Sequence, residues 1–265
     1  MSGPVVACVV AHPDDECYSA AGALALAARS GATVYVVSLT RGEDGKWAES
    51  PPPGGPPLAE VRAAELTSAC AVIGARAPTV LDLPDGLLAE HDLVEGVAAV
   101  VRVLRALRPD IVVTHGMDGG YGHPDHVATC KLVTAAVPSA GVAARFDASF
   151  GPPHQVAEVL FLAFPRGLMR PMYDHMLRGR HAGGVRHTDP AQLGVGPADL
   201  AVRVDVREVA DLKLRAIACH RSQLREGDPR TLLPDGIVDR LLMEEWFVRA
   251  GGRVGRARRS LLPAG

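Results

Sequence analysis

Pro4-Val-Val-Ala-Cys-Val-Val10 runs directly into Ala11-His-Pro-Asp-Asp-Glu16. A short run that is apolar at every position reads as a strand buried on both faces of a sheet, where a half-exposed strand would alternate. The chain then turns polar, and Ala20–Ala28 is rich in Ala and Leu, helix-prone, and closed by Gly31. Strand, polar turn and helix make up the opening unit of a parallel sheet, and the pattern recurs. It predicts a strand over 33–39, a helix over 58–73, a short strand over 79–83 and an amphipathic helix over 92–107 ended by Pro109. A strand over 110–114 and a helix over 125–137 follow, then strands over 156–164 and 201–206 and helices over 206–220 and 236–248. Residues 166–197 show no periodicity that assigns them. The alternation predicts an α/β, Rossmann-like fold in one domain spanning 1–265, a mostly parallel sheet with helices on both faces.

Composition narrows the function classes. Lys and Arg number 28 against 30 Asp and Glu, a net charge of -2, so no basic excess points to nucleic acid or an anionic membrane. The basic stretch from Arg249 to Arg259 reads as a solvated terminal tail. The five cysteines are odd in number, widely spaced and without a CxxC pair, which is no disulfide framework and fits a reducing compartment. No run of about 18 apolar residues predicts a membrane span, and nothing at the N-terminus resembles a signal peptide. The expected location is cytoplasmic, and the chain is compatible with a homo-oligomer.

Ligands bind outside the carboxyl ends of strands in open parallel sheets, and the ionisable residues gather there. The first strand ends at His12-Pro-Asp14-Asp15-Glu16, the second at Thr40-Arg41-Gly-Glu43-Asp44 and the third at Asp82-Leu-Pro-Asp85-Gly. The fourth ends at Thr114-His115 and leads into Tyr121-Gly-His123-Pro-Asp125-His126. His12 and Asp15 are three apart across a strand-to-helix turn, as are His123 and His126, and residues so spaced share a face of a first helical turn. Two histidines and a carboxylate with an open coordination position suit a catalytic Zn2+; Fe2+ uses the same donors. Either segment alone is also a good helix N-cap with Pro at the first position. Two copies at strand ends favour a site.

Ala11-His-Pro-Asp-Asp-Glu16 together with Gly119-Gly-Tyr-Gly-His-Pro-Asp-His126 resembles the LmbE-like, or PIG-L, family of metal-dependent N-deacetylases. Weaker echoes lie at Thr40-Arg-Gly-Glu43, Arg62 with Glu65, Leu83-Pro-Asp85-Gly and His220-Arg-Ser-Gln223. The resemblance covers most of 4–137 and, thinly, 213–223. Residues 140–200 are expected to be a family-variable region that shapes substrate selection.

The resemblance implies His12, Asp15 and His126 as metal ligands, Asp14 as general base and His123 as general acid or oxyanion stabiliser. Asp125 is then expected to orient a histidine, and Arg62, Asp85 and Tyr121 to contact substrate. The activity implied is zinc-dependent removal of acetyl from an N-acetylglucosamine-like sugar or glycoside, and the small-molecule partner is that substrate. Two alternatives stand beside it: an amidase of larger thiol-conjugate amides, and a metal- or sugar-binding protein without turnover. Lys46 and the Pro/Gly-rich loop after it depart from the mycothiol-pathway pattern, in which an acidic residue occupies that position. Arg62 pairing with Glu65 on its own helix is the alternative reading of that side chain, and a structural role is the plainer reading of His115. The cysteines read as small core residues.

Overall fold

The structure is a computed structural model that describes residues 3–51, 53–178, 189–234, 236–251 and 257–263. Among the described residues seven strands form one sheet in the order β3-β2-β1-β4-β5-β7-β6. They are β1 (Val5–Val10), β2 (Thr33–Ser38), β3 (Thr79–Val80), β4 (Ile111–Thr114), β5 (Glu158–Ala163), β6 (Val202–Asp205) and β7 (Glu244–Arg249). The first five pair in parallel, while β7 runs antiparallel to both β5 and β6. The Rossmann-like α/β reading holds, with an antiparallel extension on one side.

β1 lies at the centre, paired to β2 on one edge and β4 on the other. Its residues alternate between two cores. Val6, Cys8 and Val10 face one that contains Leu24, Leu66 and Ile217, and Val9 and Ala11 face one that contains Val100, Leu104 and Val133. The first core lies under α1 (Asp15–Ser19), α2 (Ala21–Arg29), α3 (Leu58–Ile73) and α8 (Ala210–Ala218). The second lies under α4 (Leu93–Leu107) and α6 (Pro124–Ala140). With both faces covered, a central strand has no solvent side, which is why its sequence shows no alternation. Burying both faces of such a sheet demands aliphatic residues at nearly every strand position.

The helix boundaries follow local chemistry. Asp92 caps α4 by accepting from the amides of Val94 and Glu95, and α3 ends at Gly74 with φ 82. The third strand is shorter than expected, although Leu81 and Leu83 continue to donate to Ser38 and Leu39 carbonyls. The expected helix over 236–248 is a correction. Only Ile237–Leu241 (α9) is helical, and Glu244–Arg249 is β7. Trp246, Phe247 and Val248 suit a pleated surface, and β5 offers an edge that β7 pairs. The misleading residue is Glu245. It points inward, fully buried, pairs with Lys213 Nζ at 2.6 Å and accepts from Gly22 and Ala23 amides at the start of α2.

Two further expectations change. Within the unassigned 166–197, α7 spans Arg170–Met176; residues 179–188 lie outside the described residues. The basic C-terminal stretch is not simply a solvated tail. Arg249 and Arg258 both pair with Glu158, and Arg258 bridges to Val202; residues 252–256 lie outside the described residues. Among the described residues no helix is long and apolar enough to cross a membrane.

Candidate active site

Strand order reverses between β1 and β4, because β2 and β3 lie on one side and β5 on the other. Crevices at such switch points, outside the carboxyl ends of the strands, are where open sheets bind ligands. The His-Pro-Asp-Asp turn follows β1 and the Gly-Tyr-Gly-His-Pro-Asp-His segment follows β4, so the topology brings together motifs far apart in the chain, His12 meeting Asp125 over 113 residues. A cavity of about 210 Å³ sits there, with His12, Asp14, Asp15, Arg62, Asp85, Tyr121 and His123 in its polar wall. Met172, Leu232 and Leu233 make an apolar wall.

Two of its lining residues, His12 and Asp15, meet the buried His126. His12, Asp15 and His126 each offer a ligand atom, and those atoms lie within 4.8 Å of one another. His126 Nδ1 lies 3.1 Å from the Gly119 carbonyl, where it can only donate, so its Nε2 carries a lone pair. That Nε2 is buried without a hydrogen-bond partner, 3.2 Å from Asp15 Oδ1. His12 Nε2 faces carboxylates, 3.2 Å from Asp125 Oδ2 and 3.1 Å from Asp85 Oδ1, so its proton belongs there. This leaves Nδ1 as the lone-pair nitrogen, 3.3 Å from Asp15 Oδ2. The unpartnered His126 Nε2 converges with His12 Nδ1 and the Asp15 carboxylate, and this donor set fits a divalent ion of the zinc type.

Electrostatics agree. Burial lowers the affinity of His12 for a proton, yet Asp125, Asp15 and Asp85 outweigh it and raise the pKa well above 6.5. Burial likewise opposes ionisation of Asp15, but His126 and His115 hold its carboxyl well below the usual carboxylate range. The pocket favours positive charge. Tyr18 donates to Asp15 Oδ1 at 2.8 Å from one turn along α1. His115 stacks on His126 with ring centroids 3.9 Å apart. Its Nε2 accepts from the Ala11 amide, and burial pushes its pKa down to about 4.

Asp14 stands apart from the ligands and opens to the cavity. Its backbone is strained, with φ 125 and ψ -24, a conformation that costs a non-glycine residue on the order of 1–3 kcal/mol. Burial pushes its carboxyl up to about 6, although Arg62 pulls in the opposite direction. Arg62, from α3, reaches across with Nη2 3.1 Å from Asp14 Oδ2, and it also donates to the carbonyls of Pro13 and Gly42. Gly42 has φ 69, and a Cβ there would collide with the guanidinium, so the clamp needs the glycine of the Thr-Arg-Gly-Glu turn. The alternative Arg62–Glu65 pair does not form. Glu65 instead accepts from the amide and hydroxyl of Ser222, both at 2.7 Å.

His123 is the N-cap of α6. Its Nδ1 accepts from the Asp125 amide at 3.2 Å, which places the neutral ring's proton on Nε2 as a donor. Its ring stacks on His126 at 4.6 Å and meets Tyr121 edge-on at 6.0 Å. Tyr121 keeps its phenolic proton, because burial and the Asp15 charge raise its pKa well above 10. Asp125 is fully buried, accepts from Gly86 and Leu88 amides, and reaches His12. Asp85 lines the cavity, yet it too binds His12, and its other oxygen accepts from Asp44 N at 2.7 Å. Burial opposes ionisation of Asp85, but His12 holds its carboxyl down to about 2.

The sequence reading missed Tyr18 and Glu16. Tyr18 had a signal, its i,i+3 spacing from Asp15. Glu16 had none, since its partner is remote. Of the other histidines, His154 bonds the Pro109 carbonyl, His175 is exposed, and His181 and His187 lie outside the described residues. The cysteines form no disulfide, and all but Cys219 are buried. Lys46 is exposed, and its carbonyl accepts from Gln223 at 3.3 Å.

Residues 7–137 match the family described as GlcNAc-PI de-N-acetylase (PIG-L). A deacetylase of Rhodococcus jostii is 34% identical over 93% of this chain and 91% of its own length. Its name is 1D-myo-inositol 2-acetamido-2-deoxy-alpha-D-glucopyranoside deacetylase. The chain belongs to the PIG-L family of de-N-acetylases.

Two solved structures share the fold of this PIG-L family chain. The N,N'-diacetylchitobiose deacetylase of Pyrococcus horikoshii superposes with a TM-score of 0.64 and 20% identity, covering 93% of this chain and 83% of its own. The 4-carboxy-2-hydroxymuconate hydratase of Pseudomonas putida does so with a TM-score of 0.64 and 19% identity, covering 95% and 98%. One scaffold therefore carries both a deacetylase and a hydratase, and the argument for function rests on the site.

Proposed function

We propose that this chain hydrolyses the acetamide of an N-acetylglucosamine-like sugar or glycoside, releasing acetate and a free amine. GlcNAc-inositol, the substrate named for the Rhodococcus relative, is the first candidate. The observation that carries the reading is convergence. A buried donor triad includes the unpartnered His126 Nε2, and two of its members, His12 and Asp15, line the same cavity as Asp14 and His123.

His12, Asp15 and His126 would hold the ion, and zinc is the metal their donor set suits best. When bound, it supplies Lewis acidity to the amide carbonyl and to the attacking water. Asp14, pushed up to about 6 by burial, is suited to take the proton of that water near neutral pH. Arg62 fixes the carboxylate in place through the ion pair and two carbonyl contacts. His123 presents Nε2–H to the oxyanion that forms as the carbonyl becomes tetrahedral, and Tyr121 is the second donor in reach of that side of the cavity. The departing amine takes up a proton, from Asp14 once loaded or from His123. Asp125 keeps the His12 ring in the tautomer a ligand requires.

The cavity size favours a compact amide. About 210 Å³ lies below the usual range for drug-sized ligands, about 300–1,000 Å³. It suits an acetamide on a sugar ring, with Met172 of the 140–200 region in its apolar wall. A larger cysteinyl or acyl amide has less room. The test is amine release over a panel of GlcNAc-inositol, other N-acetylated sugars and a thiol-conjugate amide, with Asp14→Asn alongside. Release from the sugars, lost in Asp14→Asn with zinc retained, is the expected result. Release from the thiol conjugate alone transfers the assignment to that class, and no release from any substrate leaves a binding protein.

A further inference from the structure

The conformation of Asp14 is held from behind by side chains that do not line the cavity and do not belong to the ligand triad. The Asp14 amide donates to Glu16 Oε2 at 3.0 Å. Glu16 is fully buried, and its other oxygen receives Cys17 Sγ at 2.9 Å and His220 Nε2 at 2.9 Å. His220 is fully buried as well, and its Nδ1 has no partner among the described residues, so Glu16 is the only polar anchor of its ring there. Although Glu16, Cys17 and His220 are close enough to resemble a second metal cluster, their donors already satisfy one another.

We propose that Glu16 and His220 form a positioning relay that sets the backbone of Asp14 and so aims its carboxylate into the cavity. The claim rests on the deacetylase reading for the role of Asp14, while the geometry of the relay stands independently. With φ 125, Asp14 needs an outside restraint, and its amide points away from the cavity toward Glu16. Glu16 alone is a flexible side chain within a short helix. His220 fixes it from a segment 204 residues away, where the chain leaves α8. The rest of that segment is pinned to the same neighbourhood. Ser222 is held by Glu65 on α3, the helix whose Arg62 grips the other end of Asp14. The His220-Arg-Ser-Gln223 echo, which contributes no metal ligand, thereby acquires a reason. The carboxylate of Asp14 is restrained by Arg62 from one direction and its amide by Glu16 from another.

The experiment compares His220→Leu with His220→Gln, whose side-chain amide can still donate to Glu16. The expected result for His220→Leu is a kcat lowered about 10- to 100-fold with KM and bound zinc unchanged, and substantial recovery in His220→Gln. In an Asp14→Asn background, His220→Leu should change the residual rate no further, because the relay acts only through Asp14. A reading free of activity is amide exchange at Asp14 followed by NMR, where His220→Leu should lose the protection of the wild type. Should His220→Leu not fold, His220→Asn, polar but too short to reach Glu16, takes its place. The proposal is overturned by full kcat in a folded variant, by zinc lost in step with activity, by an undiminished effect in the Asp14→Asn background, or by unchanged exchange at Asp14. Inactivity of the wild type on every substrate refutes the functional reading instead, and amide exchange still decides the relay.

Discussion

His12 has one Nε2 proton and two carboxylates that want it. Asp125 Oδ2 lies 3.2 Å away and Asp85 Oδ1 3.1 Å away. One N–H makes one strong bond, so each carboxylate is a reserve for the other in fixing the ring and its tautomer. Loss of an outer hydrogen-bond partner of a metal ligand typically weakens metal affinity 10- to 100-fold, about 1.4–2.8 kcal/mol. Here the redundancy should hold each single variant near or below the lower end. Asp125→Asn should cost roughly tenfold, because Asp125 also accepts from the Gly86 and Leu88 amides and thereby braces the loop that carries Asp85. Asp85→Asn should cost less, since its second oxygen holds only the Asp44 amide. The double variant leaves Nε2 facing two amide groups. It should lose on the order of a hundredfold or more, beyond the product of the singles by about 1 kcal/mol of coupling. Zinc Kd is read by competition with a chromophoric chelator at fixed pH and salt. Effects that multiply without coupling, or single losses of a hundredfold each, refute shared orientation of His12. All three variants within threefold of wild type show that neither carboxylate orients a ligand.

Three other outcomes are expected. His126→Ala removes the only one of the three ligands whose free nitrogen has no hydrogen-bond partner, and it should abolish stoichiometric zinc, a larger effect than any outer-residue loss; elemental analysis showing about one zinc per chain removes His126 from the ligand set. Lys213→Met should cost about 3–5 kcal/mol in guanidinium unfolding by stranding the buried carboxylate of Glu245, with much of this recovered in Lys213→Met/Glu245→Gln; a single-variant cost below about 1 kcal/mol contradicts the lock between β7, α2 and α8. Burial raises the Glu158 pKa but Arg258 and Arg249 outweigh it, leaving the carboxyl below its usual value. Its contribution is therefore present above the unfolded pKa of about 4.3 and fades as pH falls through the folded value. Glu158→Gln should cost at most about 1 kcal/mol at neutral pH after solvent screening, and the gap to wild type should close in acid. A gap that stays constant down to pH ~3 counts against the pairing.

Much of the site was legible because its chemistry is written in short local patterns. A strand that ends in His-Pro-Asp-Asp encodes a turn, a helix start and two donors within four residues, and the second motif repeats the logic after β4. Strand-end convergence then needed only the alternation of strand and helix. What stayed hidden has the opposite character. Glu65 meets Ser222 over a separation of 157 residues and His220 meets Glu16 over 204, and even for Asp125, expected to orient a histidine, the identity of that histidine, His12, lay 113 residues away. No spacing rule reports such contacts, and a buried Glu or His looks in sequence like any polar residue. Arg62 is the instructive middle case. Its helix was legible, but the nearby Glu65 suggested a local pair, whereas the fold turns Arg62 toward Asp14 and Glu65 toward the C-terminal segment.

The misread strand β7 follows from the same physics and bears on the site. Glu244-Glu245 looks polar, and a polar pair ahead of Trp-Phe-Val within a helix-prone stretch argues for a helix face. The inward turn of Glu245 is tolerable only because Lys213 and two amides of α2 satisfy it. That same Lys213 lies on α8, the helix that delivers His220 to Glu16 seven residues later. One buried polar lock thus sets the antiparallel edge of the sheet, the start of α2 and the position of α8. The relay behind Asp14 inherits its alignment from that lock. Lys213→Met/Glu245→Gln, which removes the charges without stranding either, should accordingly restore stability more fully than it restores kcat, because placement of α8 to within a few tenths of an ångström matters more to Asp14 than to the fold.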